Sequence, residues 1–563
     1  MLHKELFGSL IVAMLLLFVS CKKNADSPGN IVTSPAENFR LNVFTINNNN
    51  SSNIQYGIPF SPLIKITFTA PVKRSTIAAG IILQTTTGAT TGLNAVFQNG
   101  DSVVSLQPAS PLNPITKYTL TISTVLTSQQ NISLAAGSSA IFITAIDSSD
   151  KFPIISDNTL LDKIQQQTFK YFWDFGHPVS GMARERNSSG ETVTTGGTGF
   201  GIMAIVTAVS RGFITRTEGR DRVLKITDFL TTNCTRYHGA FAHWINGTSG
   251  VTIPFSPNDN GGDLVETSLL MQGLITARQY FSAADVTETE LRNKINVLWY
   301  GVEWSWYRQN NQNVLYWHWS PDKAFIINQQ ISGWDEALIV YVLAASDTVA
   351  ANKIPKIVYD NGWARNGGFK NNGTFYGYQL PLGPDLGGPL FFSHYSFLGI
   401  NPNGLNDAYA NYTTQVSNHA KINYEYCKAN PKNWYGYSSL SWGLTASDIP
   451  NGYDANAPGN KDIGVITPTA AISSMPYTPT ESMNALRFFY YKLGDKMWGQ
   501  YGFYDAYKLS DPWFATSTLA IDQGPMIVMI ENFRSGLLWN LFTGAPEIKT
   551  GMKSLGFTAP YLP

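Results

Sequence analysis

Cysteine is nearly absent from this chain: Cys21, Cys234 and Cys427 are its only three in 563 residues. So few exclude a disulfide framework or a cysteine-built metal centre. Cys234 and Cys427 fall in helix-like segments, where a buried free thiol serves as a small hydrophobe. Charge is scarce as well, with Asp, Glu, Lys and Arg together at 14% of residues, against about a quarter in ordinary globular chains. What charge there is cancels, 39 acidic residues against 39 basic. That balance excludes the basic face whose counterion release drives binding to nucleic acid. Apolar runs of membrane-spanning length are missing too. The run from Leu6 to Val19 is about 14 residues, short of the roughly 20 that a spanning helix needs.

That run follows His3 and Lys4 and ends in Ser20-Cys21, the layout of a signal peptide. A cysteine after a small residue resembles the lipobox of bacterial lipoproteins. Residues 1–21 are therefore expected to be an export signal with Cys21 the lipidated residue. An exported lipoprotein, facing the periplasm or on the outer-membrane surface of a Gram-negative bacterium, follows from that resemblance, with the membrane met only through the lipid. Residues 22–37 are polar and rich in Ser, Pro, Asn and Gly, the composition of a flexible tether.

Aromatic residues are abundant, with 14 Trp, 27 Tyr and 31 Phe. Sugars suit such a composition, because their C–H faces stack on aromatic rings and their hydroxyls take neutral hydrogen-bonding partners. A large core collects aromatics equally well, and composition alone does not separate the two.

The chain is long enough for at least two cores. Residues 38–147 carry short alternating runs such as LIKITFTAP, SVVSLQP and KYTLTIST between Pro, Asn and Gly turns. Seven or so strands over such a length indicate an all-β, Ig-like sandwich. No convergent acid–base or metal set is visible in it, so it reads as a spacer. From 154 to 563 helical periodicity takes over, with about a dozen helices. Several are uniformly apolar behind polar or Gly-rich lead-ins such as GGTGFG, NDNGGD, SGWDE and DQGP. A ring of buried helices whose N-terminal loops open on one face, an all-α (α/α)6 barrel, explains that repetition. A site is expected at those lead-ins.

Glycosidic cleavage needs one protonated carboxyl and one carboxylate. Five carboxylates stand at helix-leading loops: Asp259, Asp263 and Glu266 in PFSPNDNGGDLVET, Glu336 in ISGWDEALIV, and Asp522 in TLAIDQGPMIVMIEN. Asp263 and Glu266 share a helical face, and the cluster would push their pKa values apart. Asp263 as an N-cap with Glu266 completing a capping box is the alternative. Glu336 opens an apolar helix and should hold a proton, although Asp335 beside it is a second candidate. Asp522 precedes Gln-Gly-Pro, where Pro525 can start a helix and leave the carboxylate exposed in the loop.

YFWDFGHPVSGMARERN, TGGTGFGIMAIVTAVSRGFIT, RYHGAFAHWINGTSGVTIPFSPNDNGGDLVETSLLMQGLITARQYF, QNVLYWHWSPD, GWDEALIVYVLAAS and IDQGPMIVMIENFRSGLLWNLF, in that order, resemble glycoside hydrolase family 144. That family is often labelled glucoamylase-like and contains β-1,2-glucanases and sophorose-releasing enzymes. The resemblance implies an (α/α)6 barrel and an inverting mechanism with Glu336 as acid and Asp522 as base. Asp259, Asp263 and Glu266 would surround the cleaved bond. The segment ITFTAPVKRSTI…YTLTIS resembles the bacterial Ig-like modules found beside secreted hydrolases.

Substrate contacts are expected from Trp244, Trp317, Trp319, Trp334, Phe255, His243, His318 and Arg184. Core packing is the competing role for the Trp residues, and a solvated loop for Arg184 with Glu185 and Arg186. His177, His243, His318 and His394 show no metal-ligand spacing in the chain, so no metal and no cofactor is expected. The partner is a glucan or oligosaccharide, and a monomer is expected. Two other readings remain: hydrolysis of a different glucan linkage, as the glucoamylase label suggests, and a non-catalytic glycan-binding surface lipoprotein.

Overall fold

The computed structural model describes residues 38–50 and 54–563. The export signal, Cys21 and the tether lie outside the described residues.

Alternation of burial builds the first module. Lys117–Ile122 buries every second side chain, as does Ile64–Phe68, so each strand turns one face to a shared core. Among the described residues ten strands form two five-stranded sheets, rather than the seven or so read from the sequence. The additional strands include the two-residue edge pieces Asn49–Asn50 and Thr90–Thr91, too short to show periodicity. One sheet is centred on Ile64–Phe68 and the other on Lys117–Ile122. Ile66, Leu106, Leu120 and Phe142 fill the space between them with no exposed surface.

Two kinds of helix build the second module. Asp157–Trp173, Arg216–Thr232, Val286–Tyr300 and Tyr412–Ala429 are amphipathic, bury one stripe and begin at side-chain caps from Ser156, Thr215, Asp285 and Asn411. Thr195–Ser210, Leu264–Tyr280, Leu338–Ser346, Pro468–Ser473 and Ala520–Ser535 are buried almost all round. A helix apolar on every side must have neighbours on every side. Accordingly 195–210 packs against both 264–280 and 520–535, 264–280 also meets 338–346, and 520–535 also meets 468–473. The contact of 195–210 with 264–280 depends on glycine: a Cβ at Gly199 would lie 2.1 Å from the Leu269 carbonyl oxygen, and one at Gly273 2.2 Å from that of Gly199.

Two expectations need correction. Cys427 lies in the 412–429 helix, but Cys234 lies beyond the end of the helix that closes at Thr232. Pro525 does not start a helix. It lies inside Ala520–Ser535, so Asp522 belongs to the first turn instead of a preceding loop. Lacking an N–H, Pro525 gives up the bond to the Ile521 carbonyl one turn back, and the helix continues through it.

Candidate active site

The N-terminal ends of four buried helices, 195–210, 264–280, 338–346 and 520–535, converge on a cavity of about 420 Å³ whose lining includes Glu185, Arg186, Trp244, Glu266, Glu336 and Tyr453. His243, Phe255, Trp317 and Tyr395 complete its aromatic wall. A larger groove of about 690 Å³ runs over the outer helices past Val286, Glu290 and Lys294, but it gathers no buried carboxyl pair.

On one side of the cavity Asp263 caps the 264–280 helix, its Oδ1 accepting the Glu266 N–H at 2.9 Å. Its Oδ2 faces His243 Nδ1 at 3.0 Å and accepts the Trp317 indole N–H at 3.1 Å. The capping box is not formed, because Glu266 turns away and accepts the Gly196 N–H at 2.6 Å and the Thr194 hydroxyl at 3.3 Å. Burial raises the Glu266 pKa, and Asp263 adds to that against the opposing pull of His243. Burial lowers His243, yet Glu266, Asp263 and Asp259 outweigh it and push the imidazole up to about 9. Asp259 is raised to about 6, first by burial and then by Asp263.

His243, Asp259 and Asp263 bring one donor atom each within 4.8 Å of one another. Linear spacing gave no hint of this set. Both oxygens of Asp263 and Nδ1 of His243 are already engaged in hydrogen bonds.

Across the cavity Glu336 stands in the turn just before Leu338–Ser346 and lines the space. Burial raises its pKa well above the ordinary carboxyl range, and the like charge of Asp335 adds to it. Asp335 is itself pushed by burial up to about 7, and its Oδ1 accepts the Ala337 N–H at 2.9 Å, so it acts as a local cap. Asp522 is buried and does not itself line the cavity, although its neighbours Leu519 and Ile521 do. Burial and the neighbouring Asp505 raise its pKa well above the usual value. The phenol of Tyr395 lies within electrostatic reach of Asp522, Glu336 and Glu266 together, which ties the two sides into one site.

Four residues expected at the substrate, Arg184, Trp319, Trp334 and His318, do not line the cavity. Arg184 braces its own loop: its guanidinium lies 4.7 Å from the Phe175 ring centroid and donates to the Gly190 and Phe175 carbonyls. Arg186, two residues on, does line the cavity; a regular strand would put both side chains on one face, but here pairing is reduced to isolated bridges. Trp319 meets His238 and Trp306 edge-on outside the cavity, whereas Trp317 faces inward. Trp334 is buried among Trp363, Phe397 and Tyr412, where its ring fills the core beside Gly383. His318 is also buried, its Nε2 accepting the Gly261 N–H at 3.0 Å, so it holds the Asp259 loop in place. His394 is a core residue, bonded to Ser474 Oγ at 3.0 Å and lowered by burial to about 3.

Sequence reasoning missed Asp448, Tyr453 and Asp505. Arg186 holds both oxygens of Asp448, at 3.1 and 3.2 Å, and Glu185 at 2.9 Å. Asp448 also donates its backbone N–H to Asp505 Oδ2 at 2.6 Å. Asp448 and Tyr453 face each other across a short hairpin of Ala446–Ile449 and Gly452–Ala455, and Asp505 lies in irregular chain; strands of four residues show no periodic signal.

Comparison with known proteins places residues 328–546 in a family described as "Putative glucoamylase" and residues 42–144 in the bacterial Ig-like domain family. An exo β-1,2-glucooligosaccharide sophorohydrolase (non-reducing end) of Parabacteroides distasonis is 45% identical over 429 residues, covering 72% of this chain and 59% of that protein. The chain thus spans less than two thirds of that relative's length. The endo-β-1,2-glucanase of Chitinophaga pinensis, solved with sophorotriose and glucose, is 48% identical over 73% of this chain and 100% of its own, with a TM-score of 0.71. A β-1,2-glucanase structure from Parabacteroides distasonis is 36% identical over 92% of this chain and 73% of its own, with a TM-score of 0.70.

Proposed function

The chain belongs to glycoside hydrolase family 144, and on that premise we propose that it hydrolyses β-1,2-glucan with inversion of the anomeric carbon. The observation that carries this reading is Glu336, a carboxyl on the cavity wall whose burial keeps it protonated near neutrality. Glu336 gives its proton to the leaving glycosidic oxygen. Asp522 takes a proton from the water that attacks the opposite face. His243, charged at neutral pH, and Glu266 offer a donor and acceptors to sugar hydroxyls. Trp244, Phe255 and Trp317 supply faces for the rings.

The five helices buried all round are read as the inner ring of an (α/α)6 barrel, with the amphipathic ones outside it. The full chain is read as a monomer, exported and held to the membrane through lipid on Cys21, with the Ig-like module as spacer.

Product analysis on β-1,2-glucan, β-1,3-glucan and starch, with protein lacking residues 1–21, tests the proposal. Sophorose or short sophoro-oligosaccharides are expected from the first substrate alone. Glucose from starch would favour the glucoamylase reading, and no product from any of them a binding protein.

A further inference from the structure

The 3₁₀ turn Trp304–Arg308 and the residues 351–352 packed on it enclose a second groove, of about 560 Å³, outside the catalytic cavity. Ser305 ties the two pieces together: its N–H donates to the Asn352 carbonyl at 3.0 Å and its hydroxyl to the Ala351 carbonyl at 2.6 Å. Glu303, Trp306, Asn311 and Asn352 line the groove. We propose that it is a second glucan-binding site, which holds one stretch of the polymer while another stretch of the same glucan is cleaved in the cavity. This rests on the proposed function.

His238 stacks on one face of the Trp306 indole, with ring centroids 3.7 Å apart and planes 16° apart, and Trp319 meets both rings edge-on. With that face covered Trp306 is still 42% exposed, so its open surface lies on the side of the groove. The stack is fixed before any ligand arrives. His238 Nδ1 lies 2.8 Å from Glu303 Oε2, and the His238 carbonyl accepts the Glu303 N–H at 3.0 Å. His238 keeps a φ of +47°, a left-handed conformation that a non-glycine residue holds only where its surroundings enforce it. A ring already held in place loses little freedom on binding.

Polar groups flank the ring. Glu303 commits one oxygen to His238 and its side chain stays half-exposed, which leaves the other oxygen to accept from sugar hydroxyls in charge-assisted bonds. Gln309, Asn310 and Asn311 follow one another at φ values of +43°, +65° and +62°, a tight reversal that brings Asn311 to the groove. One open aromatic face beside a carboxylate and amides matches the C–H faces and hydroxyls of a sugar. A protein interface of ordinary size would need a broader apolar centre. The groove also lies close to the cavity. Trp319 pairs with Gly262 and His318 with Asp263, while Trp317 on the same short segment lines the cavity. A long glucan can therefore meet both sites, whereas a short oligosaccharide occupies only one.

Steady-state kinetics on polymeric β-1,2-glucan and on short sophoro-oligosaccharides, with protein lacking residues 1–21, separates the groove from the cavity. Trp306→Ala should raise KM for the polymer at least about fivefold, while its kcat and its KM for short substrates stay within about twofold. Asn311→Gly keeps the left-handed backbone but removes the amide, and a smaller rise in KM is expected on the polymer alone. In gels cast with β-1,2-glucan, adding Trp306→Ala to Glu336→Gln should weaken the retardation that Glu336→Gln shows by itself. An unchanged KM for the polymer in Trp306→Ala, or equal rises on polymer and short substrates, would overturn the second site. Should Trp306→Ala lose cooperative thermal unfolding, Asn311→Gly decides alone. Self-association of the wild type that Trp306→Ala abolishes, with polymer binding unchanged, would make the groove a protein interface and overturn the proposal as well. Retardation that depends on Trp306, in a protein that cleaves no glucan, would sink the proposed function and leave the binding site standing.

Discussion

Nδ1 of His243 lies 3.0 Å from Oδ2 of Asp263, while Nε2 on the far side of the ring lies 4.0 Å from Glu266. The imidazole is held between two buried carboxyls, which overcome its own burial and raise it from 6.5 to about 9. Since the folded-state value is the higher one, this charge stabilises the fold fully below about pH 6.5 and the contribution is lost as pH rises through about 9. His243→Gln should therefore lower the melting temperature more at about pH 6 than at about pH 9.5. Thermal denaturation at the two pH values checks this, and equal losses would show that His243 is not charged in the native state.

The floor of the site depends on how closely two buried helices approach. At Gly199 an added methyl would meet the Leu269 carbonyl oxygen at 2.1 Å and the Leu270 Cα at 2.7 Å. Backbone cannot move aside as a side chain can, so Gly199→Ala must separate the helices and shift Glu266 with them. Overpacking of this kind costs about 1–3 kcal/mol. Urea denaturation should show a loss of at least that size. Wild-type stability in the variant would mean that the helices separate without cost.

Much of this was legible before any coordinates. An acid at the start of an apolar helix is expected to be desolvated, and Glu336 stands half-buried on the cavity wall. Periodicity likewise separated the β module from the helical one. Direction was less legible. In LYWHWS the alternation puts Trp317 and Trp319 on the same side of an ideal strand, yet only Trp317 faces the cavity, because regular pairing there lasts two residues. Pro525 misled because a proline within the first turns of a helix looks, in sequence, like a proline that opens one. Asp448, Tyr453 and Asp505 had no signal, since a hairpin of two four-residue strands and an irregular segment come near Asp522 only through the tertiary fold.

The Ig-like module has its own core, and it touches the helical module away from the cavity. Tyr56 stacks on Tyr435 at 5.2 Å, the Tyr435 hydroxyl donates to the Thr144 carbonyl, and in the connecting segment Asp150 pairs with Lys492 at 2.8 Å. None of these residues lines the site. Removing residues 22–150 should leave kcat on soluble β-1,2-linked oligosaccharides within about threefold, with some loss of thermal stability from the uncovered face. Steady-state kinetics on the truncated protein decides it. A folded but inactive helical module would make the sandwich part of the catalytic unit.

The mechanism turns on two carboxyls from distant parts of the sequence, Glu336 before the 338–346 helix and Asp522 in the first turn of 520–535. Glu336→Gln keeps the shape of the acid but removes its proton, and Asp522→Asn keeps the shape of the base but removes its charge. Each should lower kcat by about 10² to 10⁴ while binding of sophoro-oligosaccharides persists. The effects should differ with the leaving group. An activated aryl glycoside needs little protonation, so it should restore turnover in Glu336→Gln and not in Asp522→Asn. Proton NMR of the first product formed by the wild type should show the α-anomer released from the β-linked substrate, because water attacks the face opposite the leaving oxygen. A β-anomer, or an aryl glycoside that restores Asp522→Asn instead, would exchange or dismiss the two roles.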